Sequence, residues 1–466
     1  MVKNTLAYPE YKTTNISWLT EAPRHWKVLP GKACFTEKKR LNKGMQETKV
    51  LSLSYGNLIV KPEEKLHGLV PESFETYQIV EPGDIIFRTT DLQNDWNSLR
   101  FGISRHKGII TSAYMCLKPK STLINDYGHL LLHSYDLLKI FYGMGSGLRQ
   151  NIDWRDIKYL PCLVPPLEEQ NTIVRFLDYT DRRIKRYIRA KQKLIKLLEE
   201  EKQAIIHQAV TRGLNPDVPL KPSGVEGMEN IPEHWVVRPL KRVVAINRDT
   251  LPERINESKE INYIDIGSVG TGRLIQYPTR MNFRDSPSRA RRILNFGDTI
   301  ISTVRTYLKA IWYVNEDTPN LIASTGFAVL TPSKKIEPEY LSFIIQSKYF
   351  IDKVTSNSTG TAYPAISETI LGNIKIMFPR EINEQLMILN IIKLKNIETD
   401  EKIRNFEKEI SLLQEYRTRL IADVVTGKLD VREAAAHLPE YLEEEEIDIE
   451  EVEPEENDEL EEALEP

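Results

Sequence analysis

Apolar residues along the chain follow two rhythms that alternate twice. Short apolar runs at 49–54, 84–88, 261–266 and 298–304 are bounded by Gly, Pro, Asn and Asp, and predict strands. Shorter helical patterns follow them at 130–142 and 338–354. Two long stretches, 168–212 and 381–426, contain no proline and no glycine and are rich in Glu, Lys, Arg, Leu and Ile. Each predicts a long helix, stopped by Gly213 or Gly427. Apolar residues recur in these stretches with a seven-residue rhythm. One seam runs Val174, Leu177, Ile184, Ile188, Ile195, Leu198, Ile205 and Ala209. The other runs Leu389, Ile392, Ile403, Phe406, Ile410, Leu413, Leu420 and Val424. Such a seam needs a partner helix, and the nearest one is the other copy. An antiparallel pairing would bring Asp181 near Arg417 and Lys202 near Asn396, all of which interrupt the seams.

The chain repeats itself once. Pro23-Arg24-His25-Trp26 returns as Pro232-Glu233-His234-Trp235, 209 residues later. Pro82-Gly83-Asp84-Ile85-Ile86 faces Phe296-Gly297-Asp298-Thr299-Ile300, Ile152 faces Ile366, Glu169-Gln170 faces Glu384-Gln385, and Val210-Thr211 faces Val425-Thr426, with offsets of 214 to 215. The order is kept throughout, so one unit has been duplicated. Two copies this long do not make a solenoid. The expected fold is therefore α+β, with two globular domains alternating with two long helices that pair as an antiparallel coiled coil. The expected boundaries are 1–166 for the first globule, 167–212 for its helix and 213–231 for a linker carrying three prolines and three glycines. The second globule follows at 232–380, its helix at 381–427, and an acidic tail expected to be disordered at 428–466.

Charge sharpens the picture. The 466 residues have a formal net charge of −4, but residues 440–466 hold sixteen acids and no base. The preceding 439 residues carry 63 bases against 51 acids, a net of +12. A basic body fits a polyanionic partner. No run of 18 apolar residues predicts a membrane span, and the N-terminus does not read as a secretory signal. Three scattered cysteines, Cys34, Cys116 and Cys162, fit neither a zinc site nor a disulfide scaffold, and suit a reducing cytoplasm.

Catalytic patterns are missing. There is no G-x-x-x-x-G-K-[ST] phosphate loop. Gly143-Met144-Gly145-Ser146-Gly147 follows a predicted helix rather than a strand, which is the wrong context for a cofactor loop. No H-x-x-x-H pair and no [DN]-P-P-[FYW] strip occurs. His25 and His234 sit at equivalent places beside tryptophans, which suits a structural role. No metal, cofactor or catalytic residue is expected on this chain.

Together the entry motif from Lys12 to Trp26, the strand motif Pro82 to Ile86, the exit motif Pro165 to Gln170 and the helix end from Ala204 to Gly213 resemble the specificity subunits of type I restriction–modification systems. The second copy is looser at 379–385, where one extra residue precedes Glu384-Gln385, and the acidic tail lies outside the pattern. The resemblance implies that each globule reads one half of a split target in double-stranded DNA. It implies that the paired helices fix the unread spacer. The partners it implies are two modification subunits that methylate adenine and restriction subunits that translocate and cut. S-adenosylmethionine, ATP and Mg2+ would act on those partners. The competing readings are a two-headed DNA-binding subunit of another modification or defence system, a stand-alone methyltransferase with an unfamiliar site, and a coiled-coil scaffold.

Base reading needs polar side chains on loops, and phosphate contact needs Lys and Arg. Two places in each copy fit. After the strand motif these are Arg88, Thr89, Thr90, Gln93 and Asn94, and in the second copy Arg305, Tyr307 and Lys309. In the glycine-rich loop that follows they are Arg149 and Gln150, and in the second copy Thr361 and Tyr363. The loops 38–43 and 284–292 are further candidates for phosphate contacts.

Overall fold

The predicted strands and long helices form where the pattern places them. The computed structural model describes residues 7–54, 56–62, 73–90, 92, 99–144, 151–252, 255–361 and 363–439. The chain divides into two units that cut across its linear order. One comprises residues 1–188 with 410–466, the other residues 189–409. Each unit therefore holds one globule and half of each long helix.

In the first unit an antiparallel sheet runs in the order Phe35–Lys38, Met115–Pro119, Ile85–Phe87, Phe101–Ile103. The second unit repeats that sheet with Val244–Ile246, Phe327–Pro332, Thr299–Ser302 and Ile311–Tyr313. The strands Ile85–Phe87 and Thr299–Ser302 are buried along their whole length, which explains their continuous apolar character. Each is preceded by a turn in which glycine takes a positive φ, +88° at Gly83 and +90° at Gly297. The aspartate that follows closes the turn: Asp84 accepts the Glu81 amide at 2.8 Å and Asp298 the Asn295 amide at 2.9 Å. The helices Asn125–Leu137 and Pro338–Gln346 pack against these sheets.

A second sheet is also repeated. In the second unit it has four strands with one parallel pair, Glu260–Ile264 beside Leu321–Ser324. In the first unit it is less regular: Leu51–Ser54 pairs with Asn57–Val60 and Gln78–Val80 with Gly108–Ile110, and a parallel bridge between Val50 and Ile109 joins the two pairs.

The repeated motifs turn out to fasten each globule to its helix. Lys27–Pro30 pairs with Pro161–Val164, the strand that leads into the first long helix, Leu167–Arg212. Glu169, in its first turn, accepts hydrogen bonds from Trp26 Nε1 at 3.0 Å and Tyr8 Oη at 2.7 Å, and meets His25 Nε2 at 2.7 Å. Gln170 donates to the carbonyls of Pro165 and Thr122 and accepts the Ile124 amide. The second unit repeats the device. Trp235–Pro239 pairs with Lys375–Pro379, Trp235 Nε1 donates to Glu384 at 2.9 Å, His234 meets the same carboxylate, and Gln385 donates to the carbonyls of Pro379 and Lys335. Lys12 and Lys221 complete the locks by donating to the carbonyls of Trp26 and Trp235.

Within each unit the two long helices, Leu167–Arg212 and Ile382–Val425, run antiparallel. In the first unit Asp181 meets Arg417, as the seam predicts. In the second, Lys191 meets Glu409 at 2.8 Å and Lys202 meets Asp400 at 2.7 Å. The Lys202 partner differs from the expected Asn396. A full carboxylate one helical turn away outcompetes an amide dipole, and Asn396 Oδ1 is left buried without a hydrogen bond. Among the seam residues Leu177, Ile184, Ile392 and Leu420 are buried. Ile188, Ile195, Leu198, Ile205, Ile403, Phe406, Ile410 and Leu413 are half-buried.

Burial raises the Asp181 pKa, but hydrogen bonds from Lys185 and Arg417 outweigh it and hold the carboxyl below its usual range. The pair is partly exposed, so a single reversal, Asp181→Arg or Arg417→Asp, is expected to cost about 1–2 kcal/mol, between an exposed and a buried pair. The double reversal should recover most of that loss in urea unfolding; a double variant as unstable as the singles would refute the pairing.

Two expectations are corrected. The stretch 213–231 is not simply a linker, because Leu220–Val225 and Met228–Pro232 form a hairpin equivalent to Tyr11–Ile16 with Leu19–Pro23. Gly213 follows the end of the long helix, Pro222 lies within the first strand, Gly224 falls at a register shift, and Gly227 takes a positive φ in the turn. The C-terminal segment is ordered through residue 439. Val431 and Ala435 enter the first unit's core, and Arg175 donates to the carbonyls of Leu438 and Pro439, both at 3.0 Å. Residues 440–466 lie outside the described residues. Among the described residues no helix is long and apolar enough to cross a membrane.

Candidate nucleic-acid interface

In both units the loop after the buried central strand is tied to the segment that follows the glycine-rich loop. The tie is the same backbone hydrogen bond, Ile152 N to Thr89 O at 3.0 Å and Ile366 N to Thr303 O at 2.9 Å. These residues keep the repeat offset of 214, so the duplication has preserved a backbone frame while its side chains changed.

In the second unit the frame is described except for residue 362. Strand Thr299–Ser302 runs into Arg305, which takes φ +52°; a single tight turn, Thr306–Leu308, follows, and Lys309 takes φ +49°. Two non-glycine residues in the left-handed region flanking one turn store backbone strain, a feature that gathers at binding sites. Neighbouring contacts hold the turn. Thr306 Oγ1 and Ser358 Oγ lie 2.9 Å apart, and Thr271 Oγ1 donates to the Lys309 carbonyl at 2.9 Å. The facing loop closes on itself through Thr359 and Ala365, whose amides and carbonyls bond reciprocally at 2.9 Å around Gly360. The Arg305 guanidinium stacks over the Tyr363 ring, 4.8 Å from its centroid. Arg305, Tyr307, Lys309, Thr361 and Tyr363 thus belong to two loops that pack together, and the rings of Tyr307 and Tyr363 are exposed. An exposed, rigidly presented set of aromatic, cationic and hydroxyl groups can stack, grip phosphate and read base edges.

In the first unit Arg88 and Thr90 are half-buried at the corresponding loop. Thr89 departs from expectation. Its side chain is buried, because this residue supplies the carbonyl that ties the two loops. Gln93, Asn94, Arg149 and Gln150 lie outside the described residues. The charges of the 38–43 loop are largely engaged within the protein. Lys38 meets Asp84 at 2.6 Å, Lys39 meets Glu37 and Arg40 meets Glu81. Those of 284–292 are partly engaged, with Arg292 on Glu368 at 2.9 Å.

Sequence reasoning missed Arg100. It is completely buried, and its guanidinium donates to the carbonyls of Thr90 at 2.7 Å and Arg88 at 3.3 Å, and to Tyr142 Oη at 3.2 Å. Its amide donates to Asp136 at 2.9 Å. Arg100 therefore positions the 88–90 loop from behind. No sequence signal marks it, since its partners are assembled by strand pairing and a distant helix.

The family model for the type I restriction modification DNA specificity domain matches residues 40–197 and 232–407, one match for each copy. The chain belongs to that family. It is 25% identical over 361 residues to the type I restriction enzyme MjaVIII specificity subunit of Methanocaldococcus jannaschii, covering 75% of this chain and 81% of that protein. It is 26% identical over 142 residues to the HindI specificity subunit of Haemophilus influenzae, covering 29% and 30%. A chain from a structural study of complex assembly and conformational transition of the type I R-M system shares the fold. Its TM-score is 0.62 at 16% identity, with 88% of this chain and 99% of that one covered. The two loop frames described above are thus features of two type I DNA specificity domains, and the fastening motifs belong to their connections with the long helices.

Proposed function

We propose that this chain supplies sequence recognition, and no catalysis, to a type I restriction–modification complex, with each specificity domain reading one half of a split duplex target. The observation that carries the reading is the conserved loop frame, the same backbone tie in both units, presenting different side chains. Arg305, Tyr307, Lys309, Thr361 and Tyr363 serve the second half-site. Arg88, Thr90, Gln93, Asn94, Arg149 and Gln150 serve the first, and Arg100 holds the backbone of residues 88 and 90. Thr89 contributes through its backbone. The paired helices set the length of the unread spacer and dock two modification subunits. Exposed Met387, Ile391 and Leu394 form an apolar stripe on the second helix that suits such docking. S-adenosylmethionine belongs to those partners, and ATP and Mg2+ to the restriction subunits.

The test is methylome sequencing of cells expressing the chain with and without its modification partner. The expected result is a bipartite adenine-methylated motif with a fixed gap, appearing only when both are present. Methylation by this chain alone would make it an enzyme and overturn the reading.

A further inference from the structure

The two long helices are copies of one ancestor, yet their charges differ. Residues 182–196 of the first hold eight bases and no acid. The equivalent residues 397–411 of the second hold three bases and five acids. A face that merely needs solvation gains nothing from such one-sidedness, and like charges along one helix repel.

Arg182 and Lys185 pair with Asp178 and Asp181 in the first unit, and the four bases that lie in the second unit fall into two sets. Lys191 turns toward the seam, where it meets Glu409 and lies over the Phe406 ring at 4.2 Å. Arg189, Lys193 and Lys196 are exposed and, among the described residues, form no ion pair. At about 100° per residue their spacings of four and three keep them within an arc of about 60°, on the side of the helix away from Ile195 and Leu198. They form a cationic line about 10 Å long. Uncompensated cations in a row fit a polyanion with closely spaced charges, and a DNA duplex carries one per ~1.7 Å of axis.

We propose that Arg189, Lys193 and Lys196 contact the phosphate backbone of the DNA between the two half-sites. The helix would then grip the spacer as well as set its length, without reading its bases. This rests on the two-half-site reading above. The contact is electrostatic and independent of sequence, so it should raise affinity equally for every spacer and leave the recognised motif unchanged.

The test is the salt dependence of binding by the full chain, assembled with its modification subunits, to a duplex carrying its methylated motif. The triple variant Arg189→Gln, Lys193→Gln, Lys196→Gln alters only exposed side chains. Losing three phosphate contacts should flatten the plot of log affinity against log salt by about 2.7. Between 50 and 200 mM salt the unaltered complex would thus lose about 40-fold more affinity than the variant. The shift should persist when spacer bases are changed. An unaltered slope overturns the proposal. So does a variant that no longer assembles, which would assign the line to a modification subunit. Appearance of the effect only after deletion of residues 440–466 also overturns it, because the acidic tail would then be the occupant. If the unaltered complex recognises no split target, the functional reading fails first, and this inference falls with it.

Discussion

Glu169→Ala is expected to destabilise the first unit by about 2–6 kcal/mol, because two buried donors lose their shared acceptor at about 1–3 kcal/mol each. Glu169 is only 6% exposed and is the shared acceptor for Trp26, Tyr8 and His25. Burial first, and then the hydrogen bond to Glu169, push the Tyr8 hydroxyl pKa far up, so it remains a proton donor throughout the useful pH range. Truncation would leave the indole N–H and the phenol O–H buried without an acceptor, each costing about 1–3 kcal/mol. Glu169→Gln keeps a carbonyl oxygen for one of them and should cost about 1–2 kcal/mol.

The equivalent change in the second unit should be milder. Glu384 is 32% exposed and, among the described residues, serves Trp235 and a His234 that is itself 48% exposed. Solvent screens the His234 contact, and only the buried Trp235 indole loses an acceptor, so Glu384→Ala should cost about 1–3 kcal/mol. Hydrogen exchange separates the two cases. Glu169→Ala should lose protection in the paired strands Lys27–Pro30 and Pro161–Val164 while Trp235–Pro239 and Lys375–Pro379 remain protected. Equal loss in both pairs would mean that the third donor and the deeper burial contribute nothing.

These locks show which parts of the molecule are legible in sequence. The Trp, His, Glu and Gln positions are visible because duplication prints them twice in a fixed order. The long helices are visible because 3.6-residue periodicity is local. The Asp181–Arg417 pair follows from register once antiparallel pairing is assumed. What fails depends on competition between distant partners. Lys202 has two polar groups within reach, and sequence spacing does not rank a carboxylate at 400 against an amide at 396. The hairpin Leu220–Pro232 is masked by prolines and glycines that usually punctuate loops. Val431 and Ala435 look like the start of an acidic tail because their burial depends on the first unit's core, over 200 residues away in sequence. In the candidate interface the loops could be chosen from residue type, but Arg100 and the buried side chain of Thr89 follow only from three-dimensional assembly.

Arg305 offers the sharpest test of the interface itself. Arg305→Ala should lower affinity for the second half-site by about 1–3 kcal/mol and leave the first half-site unaffected. Its φ of +52° complicates the comparison, since alanine is strained there as arginine is. Glycine removes the strain as well as the side chain. If the guanidinium makes the contact, Arg305→Gly loses as much as Arg305→Ala, although the turn is relaxed. If the residue matters only for backbone shape, glycine restores what alanine loses. Tyr363→Ala, which removes the ring beneath the guanidinium, should reproduce part of the loss, because an Arg freed from its platform must be ordered on binding. Arg305→Lys keeps the charge but not the planar fork, and distinguishes the kind of contact. Recovery by lysine would mark a phosphate contact, with the loss uniform across target sequences. Failure of lysine, with relaxed preference at one base pair, would mark a base contact. Competition binding against duplexes altered one half-site at a time reads all four variants. An equal loss at both half-sites would remove Arg305 from the second head's interface.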